Sequence, residues 1–220
     1  MVGVTRSELP DLDAIDAALF DLDGTLIDSE PLHRAAWESF FASRGWEVSE
    51  ETYTAHFVGR RGSDAFRSID GPWSHEDPDE LLAEVLTHLA TVSTEPGVVP
   101  GAAELLRRVH GAGVPIAVVT SAVRRWADEA LEYLGIADMI SVVISAEDVT
   151  VGKPDPEGYL QACARLDVQP DHVMAFEDST SGVAAAVAAG IVHVVGVLTT
   201  SRADALRAAG AHHVIDDLGA

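Results

Sequence analysis

Asp21 and Asp23 stand two residues apart where the apolar run Ala17-Ala18-Leu19-Phe20 gives way to Gly24-Thr25. Side chains spaced i, i+2 along an extended backbone point to the same side, so both carboxylates can face one reacting centre. A carboxylate is charged at neutral pH and can attack phosphorus without an activating base, provided a cation offsets its repulsion from an anionic phosphate. Paired acids here point to a nucleophile and a divalent cation. Further along, Thr120 and Ser121 close the run Val118-Val119, Lys153 lies within Gly152-Lys153-Pro154-Asp155-Pro156, and Glu177 and Asp178 follow Phe176, with Ser179 and Gly182 beyond. Hydroxyls and backbone N–H groups at the start of a helix can hold phosphate oxygens, and a lysine can offset the charge of an anion. The same residue types also make ordinary helix caps, so Thr120-Ser121 and Glu177-Asp178-Ser179 can do both.

Such groups need a scaffold to bring them together. Apolar runs near 17–22, 115–120, 141–145, 173–176 and 192–198 read as strands, each followed by a turn and helical periodicity, and a further short strand fits 213–215. This alternation predicts an α/β fold, a doubly wound parallel sheet of Rossmann-like type with helices on both faces. Ligands of such sheets bind outside the carboxyl ends of the strands, where Asp21 would stand. The interval 29–97 reads differently, with amphipathic patterns and no strand. Helices are expected over 31–41, 51–58, 63–69 and 78–91, with Gly45 and Gly71-Pro72 as breaks. The chain therefore divides into an α/β core, 1–28 and 98–220, and a helical insertion, 29–97, whose return hinge is Glu95-Pro96-Gly97 and Pro100-Gly101. Four short helices are not expected to close a core of their own, so packing onto the sheet is predicted.

Bulk composition narrows the partners. Fourteen basic residues against 36 acids give a net charge of −22 over 220 residues, the opposite of a nucleic-acid binder. An anionic substrate would need a local positive group, and Lys153 is the one lysine of the chain. The single cysteine, Cys163, cannot form an intrachain disulfide, which suits a reducing cytoplasm, and its helical surroundings predict a small buried side chain. Residues 1–16 hold acids and no long apolar run, so no signal peptide is expected, and no stretch approaches a membrane span. The expected partner is a small phosphorylated metabolite, with no nucleic acid and no membrane, and a monomer is the default.

Four motifs carry a resemblance: Phe20-Asp21-Leu22-Asp23-Gly24-Thr25 continuing as Leu26-Ile27-Asp28-Ser29-Glu30, then Val118-Val119-Thr120-Ser121, Gly152-Lys153-Pro154-Asp155-Pro156, and Phe176-Glu177-Asp178-Ser179 with Gly182. In this order, across about 17–197, they resemble the haloacid dehalogenase superfamily, whose members mostly transfer phosphoryl groups through an aspartyl-phosphate. The resemblance implies Asp21 as nucleophile and Asp23 as general acid/base, Thr120 and Ser121 on the phosphate, and Lys153 as the screening charge. It implies Mg2+ held by Asp21 and Asp178, with the backbone carbonyl of Asp23 and with Glu177 as ligand or neighbour. An acid at position 23 sets the chain apart from the dehalogenases themselves. The insertion resembles the small helical cap of many members, and within it His33, Arg60 and Arg61 are candidates for substrate contact, Arg61 first, with Trp37 and His88 beside them.

Among branches, the likeness is to hydrolases of small sugar and polyol phosphates, of the 2-deoxyglucose-6-phosphatase and glycerol-3-phosphatase types. It rests on Ser29-Glu30-Pro31-Leu32-His33, Thr94-Glu95-Pro96-Gly97 and Ala146-Glu147-Asp148-Val149. A β-phosphoglucomutase-like phosphotransferase shares every core residue but uses a cap lysine, and 29–97 has none. A non-catalytic binding or regulatory member is the third reading. Such proteins usually lose a core acid, whereas Asp21, Asp23, Lys153 and Asp178 are all present.

Overall fold

The computed structural model describes residues 12–93 and 95–219. Residues 1–11, on which most of the leader expectation falls, and Thr94, the first residue of the Thr94–Gly97 stretch, lie outside the described residues. Strand β1 (Ala17–Phe20) has every residue buried, as a strand covered on both faces must. The chain turns through Asp21–Thr25 into the two-residue β2 (Ile27–Asp28) and passes through helices α1 (Glu30–Arg44), α2 (Glu50–His56), α3 (Gly62–Ser68) and α4 (Pro78–Leu89). It returns through β3 (Gly97–Val98), which pairs antiparallel with β2. There follow α5 (Ala102–Gly111), β4 (Ile116–Val119), α6 (Arg124–Tyr133), β5 (Val142–Ile144), α7 (Glu157–Leu166), β6 (Val173–Glu177), α8 (Thr180–Ala188), β7 (His193–Val197), α9 (Ala203–Ala209) and β8 (His213–Ile215).

Six strands form one parallel sheet in the order β5-β4-β1-β6-β7-β8. β1 is central, with β4 on one side and β6 on the other, and the register pairs Phe20 with both Val118 and Phe176. That register fixes the site: the residues just past the three partners reach the same sheet edge together. Alternate β1 residues feed two separate cores, Ala18 and Phe20 on one face, Ala17 and Leu19 on the other. Phe20 and Phe176 stack with ring centroids 4.6 Å apart.

The four helices between β2 and β3 correct one expectation, because they do have a core of their own. Trp37, Phe40, Phe41, Tyr53, Phe57, Phe66, Trp73, Leu81 and Val85 form a cluster distinct from the two beneath the sheet. Aromatic side chains bury about 150–250 Å² each, so this many rings close an interior that short aliphatic helices would not. Local signals delimit the helices: Pro31 lies in the first turn of α1, which ends at Gly45 with φ 66°, and the Asp77 side chain accepts from the N–H groups of Asp79 and Glu80 at the start of α4. The β2–β3 pair was invisible to periodicity, since two residues carry no pattern.

Candidate active site

At the carboxyl end of the central strands one lysine meets two buried acids, with a third, Asp178, beside them. Lys153 Nζ donates to Asp21 Oδ1 at 2.5 Å, to Glu177 Oε1 at 2.6 Å and to the Val119 carbonyl at 2.9 Å. The Tyr159 hydroxyl donates to the same Glu177 oxygen at 2.6 Å, and Ser179 Oγ to the other at 3.2 Å. Glu177, fully buried, is thereby engaged at both oxygens and fixes the ammonium against Asp21. Burial works against the charge on Lys153, but Asp21 and Glu177 outweigh it and hold the ammonium well above its ordinary range.

The acids outnumber the lysine, and this raises their affinity for protons. Burial pushes the Asp21 carboxyl well above the usual range; Lys153 opposes this, while Glu177 and Asp178 add to it. Asp178 is pushed up to about 7, by burial first and then by Glu177. Oxygens of Asp21, Glu177 and Asp178 lie within 4.8 Å of one another. Hard oxygen donors with uncompensated negative charge in a dry site are the donor set that magnesium takes, so these residues fit the ion. Asp21 and Asp178 would hold it, with Glu177 already committed to Lys153 and Tyr159. The turn after β1 runs close against Asp178 at residue 24, a place that only glycine fits. Its φ is +84°, and a Cβ there would stand 2.0 Å from Asp178 Oδ2.

Asp23 is held separately. Ser29 Oγ donates to its Oδ1 at 2.6 Å and Trp126 Nε1–H at 2.8 Å, and His33 Nε2 lies 3.0 Å from that oxygen. Its other oxygen accepts only the longer contact from Thr120 Oγ1, 3.4 Å. Burial raises the Asp23 pKa, but His33, Ser29 and Trp126 outweigh it and hold the carboxyl below its ordinary value. Burial lowers the His33 pKa, but Asp23 and Glu30 outweigh it and raise it. Thr120 Oγ1 also accepts the Ala122 N–H at 3.0 Å.

A cavity of about 290 Å³ opens on Asp21, Asp23, Thr120 and Asp178 and is walled on its other side by the helical insertion. His33, Arg60, Arg61 and Ser121 all border it. The two arginines differ in their attachments. Arg61 donates to the Val149 carbonyl at 3.0 Å, and its Nε lies 3.5 Å from Asp64, which in turn accepts the Gly152 N–H at 3.3 Å. Arg61 thus ties the insertion to the loop that carries Lys153. Ser121 Oγ donates to the Gly59 carbonyl at 3.3 Å, as Ser181 Oγ does at 3.0 Å. Gly59 has φ +69°, and a Cβ would meet that of Ser179 at 2.4 Å, so only glycine lets the insertion seat so closely.

Sequence reasoning missed Trp126 and Tyr159 as members of this centre. Tyr159 sits six residues beyond Lys153, just past the Gly152–Pro156 motif, on the buried face of α7. Trp126 follows Thr120-Ser121 on the first turn of α6, and no pairing pattern links it to Asp23 across the sequence.

Comparisons with known proteins bear on this geometry. The description "haloacid dehalogenase-like hydrolase" matches residues 15–190. Validoxylamine A 7'-phosphate phosphatase from Streptomyces hygroscopicus subsp. limoneus is 43% identical over 190 residues, which cover 86% of this chain and 88% of that protein. A phosphorylated carbohydrates phosphatase from Thermotoga maritima is 33% identical over 196 residues, covering 84% and 86%. Among solved structures, CbbY from Rhodobacter sphaeroides in complex with xylulose-(1,5)-bisphosphate superposes with a TM-score of 0.76 at 27% identity, covering 93% of this chain and 95% of that one.

Proposed function

The chain belongs to the haloacid dehalogenase-like hydrolases and is a phosphoric monoester hydrolase, and from that premise we propose that it hydrolyses a small sugar or polyol phosphate, with magnesium, through a phosphate ester on Asp21. The observation that carries this reading is the junction of Lys153 with Asp21 and Glu177, 2.5 and 2.6 Å, beside Asp178 and Thr120 at the ends of adjacent strands. Both relatives are named as phosphatases of phosphorylated carbohydrates or of a kindred phosphate, which supports the substrate class.

An Asp21 oxygen attacks phosphorus and the ester P–O bond breaks, while Asp23 gives its proton to the leaving oxygen. Asp23 then takes a proton from the water that attacks the phosphorus of the acyl phosphate, releasing inorganic phosphate and restoring Asp21. The donors on Asp23 Oδ1 favour the carboxylate, the form that serves as base. An arriving phosphate dianion favours the protonated form, which serves as acid. Thr120, Ser121 and Lys153 hold the transferring oxygens, and bound magnesium supplies further charge to offset that of the phosphate. The insertion, 29–97, acts as a cap that excludes water during transfer and opens for release, with His33, Arg60 and Arg61 at the substrate side.

A mutase is the second enzymatic reading, and the absence of any lysine from 29–97 counts against it. The lone Cys163, buried in α7, suits the reducing cytoplasm as its location, and a monomer is the default state. Among the described residues no helix is long and apolar enough to cross a membrane. The test is phosphate release with magnesium across hexose, pentose, deoxysugar and polyol phosphates, with β-glucose-1-phosphate followed in parallel for glucose-6-phosphate. Free phosphate from one group supports the phosphatase; glucose-6-phosphate with little free phosphate supports the mutase.

A further inference from the structure

The loop 149–152 leads into Lys153, and its polar backbone groups are held from two sides. From the core, the two oxygens of Glu157 accept the Thr150 N–H at 3.0 and 2.9 Å, and one of them accepts the Val151 N–H at 2.9 Å. From the insertion, Arg61 donates to the Val149 carbonyl at 3.0 Å, and Asp64 Oδ2 accepts the Gly152 N–H at 3.3 Å. Glycine suits this contact, since a Cβ on residue 152 would stand 2.8 Å from Asp64 Oδ2. An acid on the first turn of α3 therefore reaches the residue directly before the lysine.

The same short segment of the insertion meets the other loops of the site. The Gly59 carbonyl accepts from Ser121, beyond β4, and from Ser181, on the first turn of α8 beyond β6. Residues 59–64 thus touch the chain that follows β4, β5 and β6 together. Lifting them away returns the Val149 carbonyl and the Gly152 N–H to water, while Glu157 keeps Thr150 and Val151. Lys153 Nζ has its three acceptors at 2.5, 2.6 and 2.9 Å, so little movement of its backbone is tolerated. A misplacement of about 1 Å at a reacting centre can cost roughly 10²-fold in rate.

Resting on the reading of Lys153 as the positive group at the transferring phosphate, we propose that Asp64 is a positioning residue. Seated on Gly152, it sets Lys153 against Asp21, so that closing the insertion and placing the lysine are one event.

Lys153 is the one lysine of the chain, so protein grown on isotope-labelled lysine shows its side-chain ammonium as a single NMR signal. Asp64→Ala removes the acceptor, and Asp64→Asn keeps an oxygen for the Gly152 N–H. Arg67→Gln removes the ion pairs that Arg67 makes with Asp64 and Asp79 and leaves Gly152 its acceptor. Each variant is read by that signal without substrate and by Tm. Turnover is read as kcat and KM, with magnesium, on whichever of glucose-6-phosphate, sorbitol-6-phosphate and glycerol-3-phosphate the parent hydrolyses fastest. In Asp64→Ala the signal is expected to shift or broaden, with kcat down about tenfold and KM changed less than about threefold. In Asp64→Asn and Arg67→Gln it should stay at the parent position, with most of kcat kept. Asp64→Ser, too short to reach Gly152, repeats the test if the alanine protein melts below the assay temperature. An unmoved signal in Asp64→Ala, or an equal shift in either of the other two variants, overturns the proposal. A shifted signal with kcat unchanged upholds the placement of Lys153 by Asp64 and overturns instead the reading of Lys153 as the group at the phosphate.

Discussion

The indole N–H of Trp126 donates to Oδ1 of Asp23 at 2.8 Å, joining the start of α6 to the turn after β1. Ser29 Oγ and His33 Nε2 converge on the same oxygen, at 2.6 and 3.0 Å. With Oδ1 saturated, Oδ2 is the oxygen left beside Thr120 to exchange a proton. Trp126→Phe keeps the ring in the cavity and removes the N–H. Hydrogen bonds to charged groups contribute about 1.5–3 kcal/mol, and two donors remain, so kcat should fall about tenfold with KM changed less than twofold. An unchanged kcat would mean that Ser29 and His33 suffice to hold Asp23.

That contact marks where the sequence stopped being readable. The strands of the main sheet were legible because buried parallel strands are plain apolar runs, most fully in β1, β4 and β6, and the central acids because an acid pair after such a run is unusual. Helices α1 to α4 were legible from proline, glycine and period. What escaped notice depends on the third dimension. The rings of the insertion face one another only once four helices are placed, and Trp126 meets Asp23 only because β4 and β1 are neighbours. Arg61, expected at the substrate from its glycine flanks, borders the cavity, and its guanidinium also reaches the Val149 carbonyl, a backbone partner that no side-chain pattern encodes.

Lys153 and Asp21 are expected to respond oppositely to removal of charge. Lys153→Met leaves Asp21 and Glu177 buried without their cation, and breaking a buried pair in this way costs about 3–5 kcal/mol. At about 2–4 °C per kcal/mol for a chain of this size, the Tm should drop by about 10 °C or more. Asp21→Asn instead relieves repulsion among three acids while Glu177 still pairs the lysine. Its Tm in EDTA should equal or exceed that of the parent. Scanning calorimetry of both variants checks the pair; a large loss in Asp21→Asn would show that the acids do not repel.

Magnesium should stabilise the protein, since an ion that binds only the folded state adds RT ln(1 + [L]/Kd), about 2.7 kcal/mol at a hundredfold excess over Kd. Asp178→Asn removes one of the two carboxylates available to it. Thermal denaturation with and without magnesium should show a rise of several degrees for the parent and little or none for Asp178→Asn. An equal rise in both would place the ion elsewhere.

Acid stability should depend on Asp148. Burial raises its pKa, but the Ser145 N–H and hydroxyl, at 2.9 and 2.8 Å, together with Arg165 and Arg124 outweigh this and hold it far below the ordinary value. A lowered folded-state pKa contributes stability above the unfolded value of about 3.9 that is lost as pH falls below it. Asp148→Asn should therefore cost about 1–3 kcal/mol at pH 7, and the gap between variant and parent should narrow below pH 4. Urea melts at pH 7, 5 and 3 measure it. A gap independent of pH would assign the effect to packing.

The covalent step is the centre of the account, and it can be read on one residue. The protein is mixed with magnesium and a radiolabelled phosphate monoester that it hydrolyses, quenched in acid within the first turnover, digested and mapped. The account predicts a hydroxylamine-labile phosphoryl group on the peptide carrying Asp21, absent from Asp21→Asn, which also releases no phosphate. Undiminished phosphate release by Asp21→Asn, or label on another residue, would contradict it.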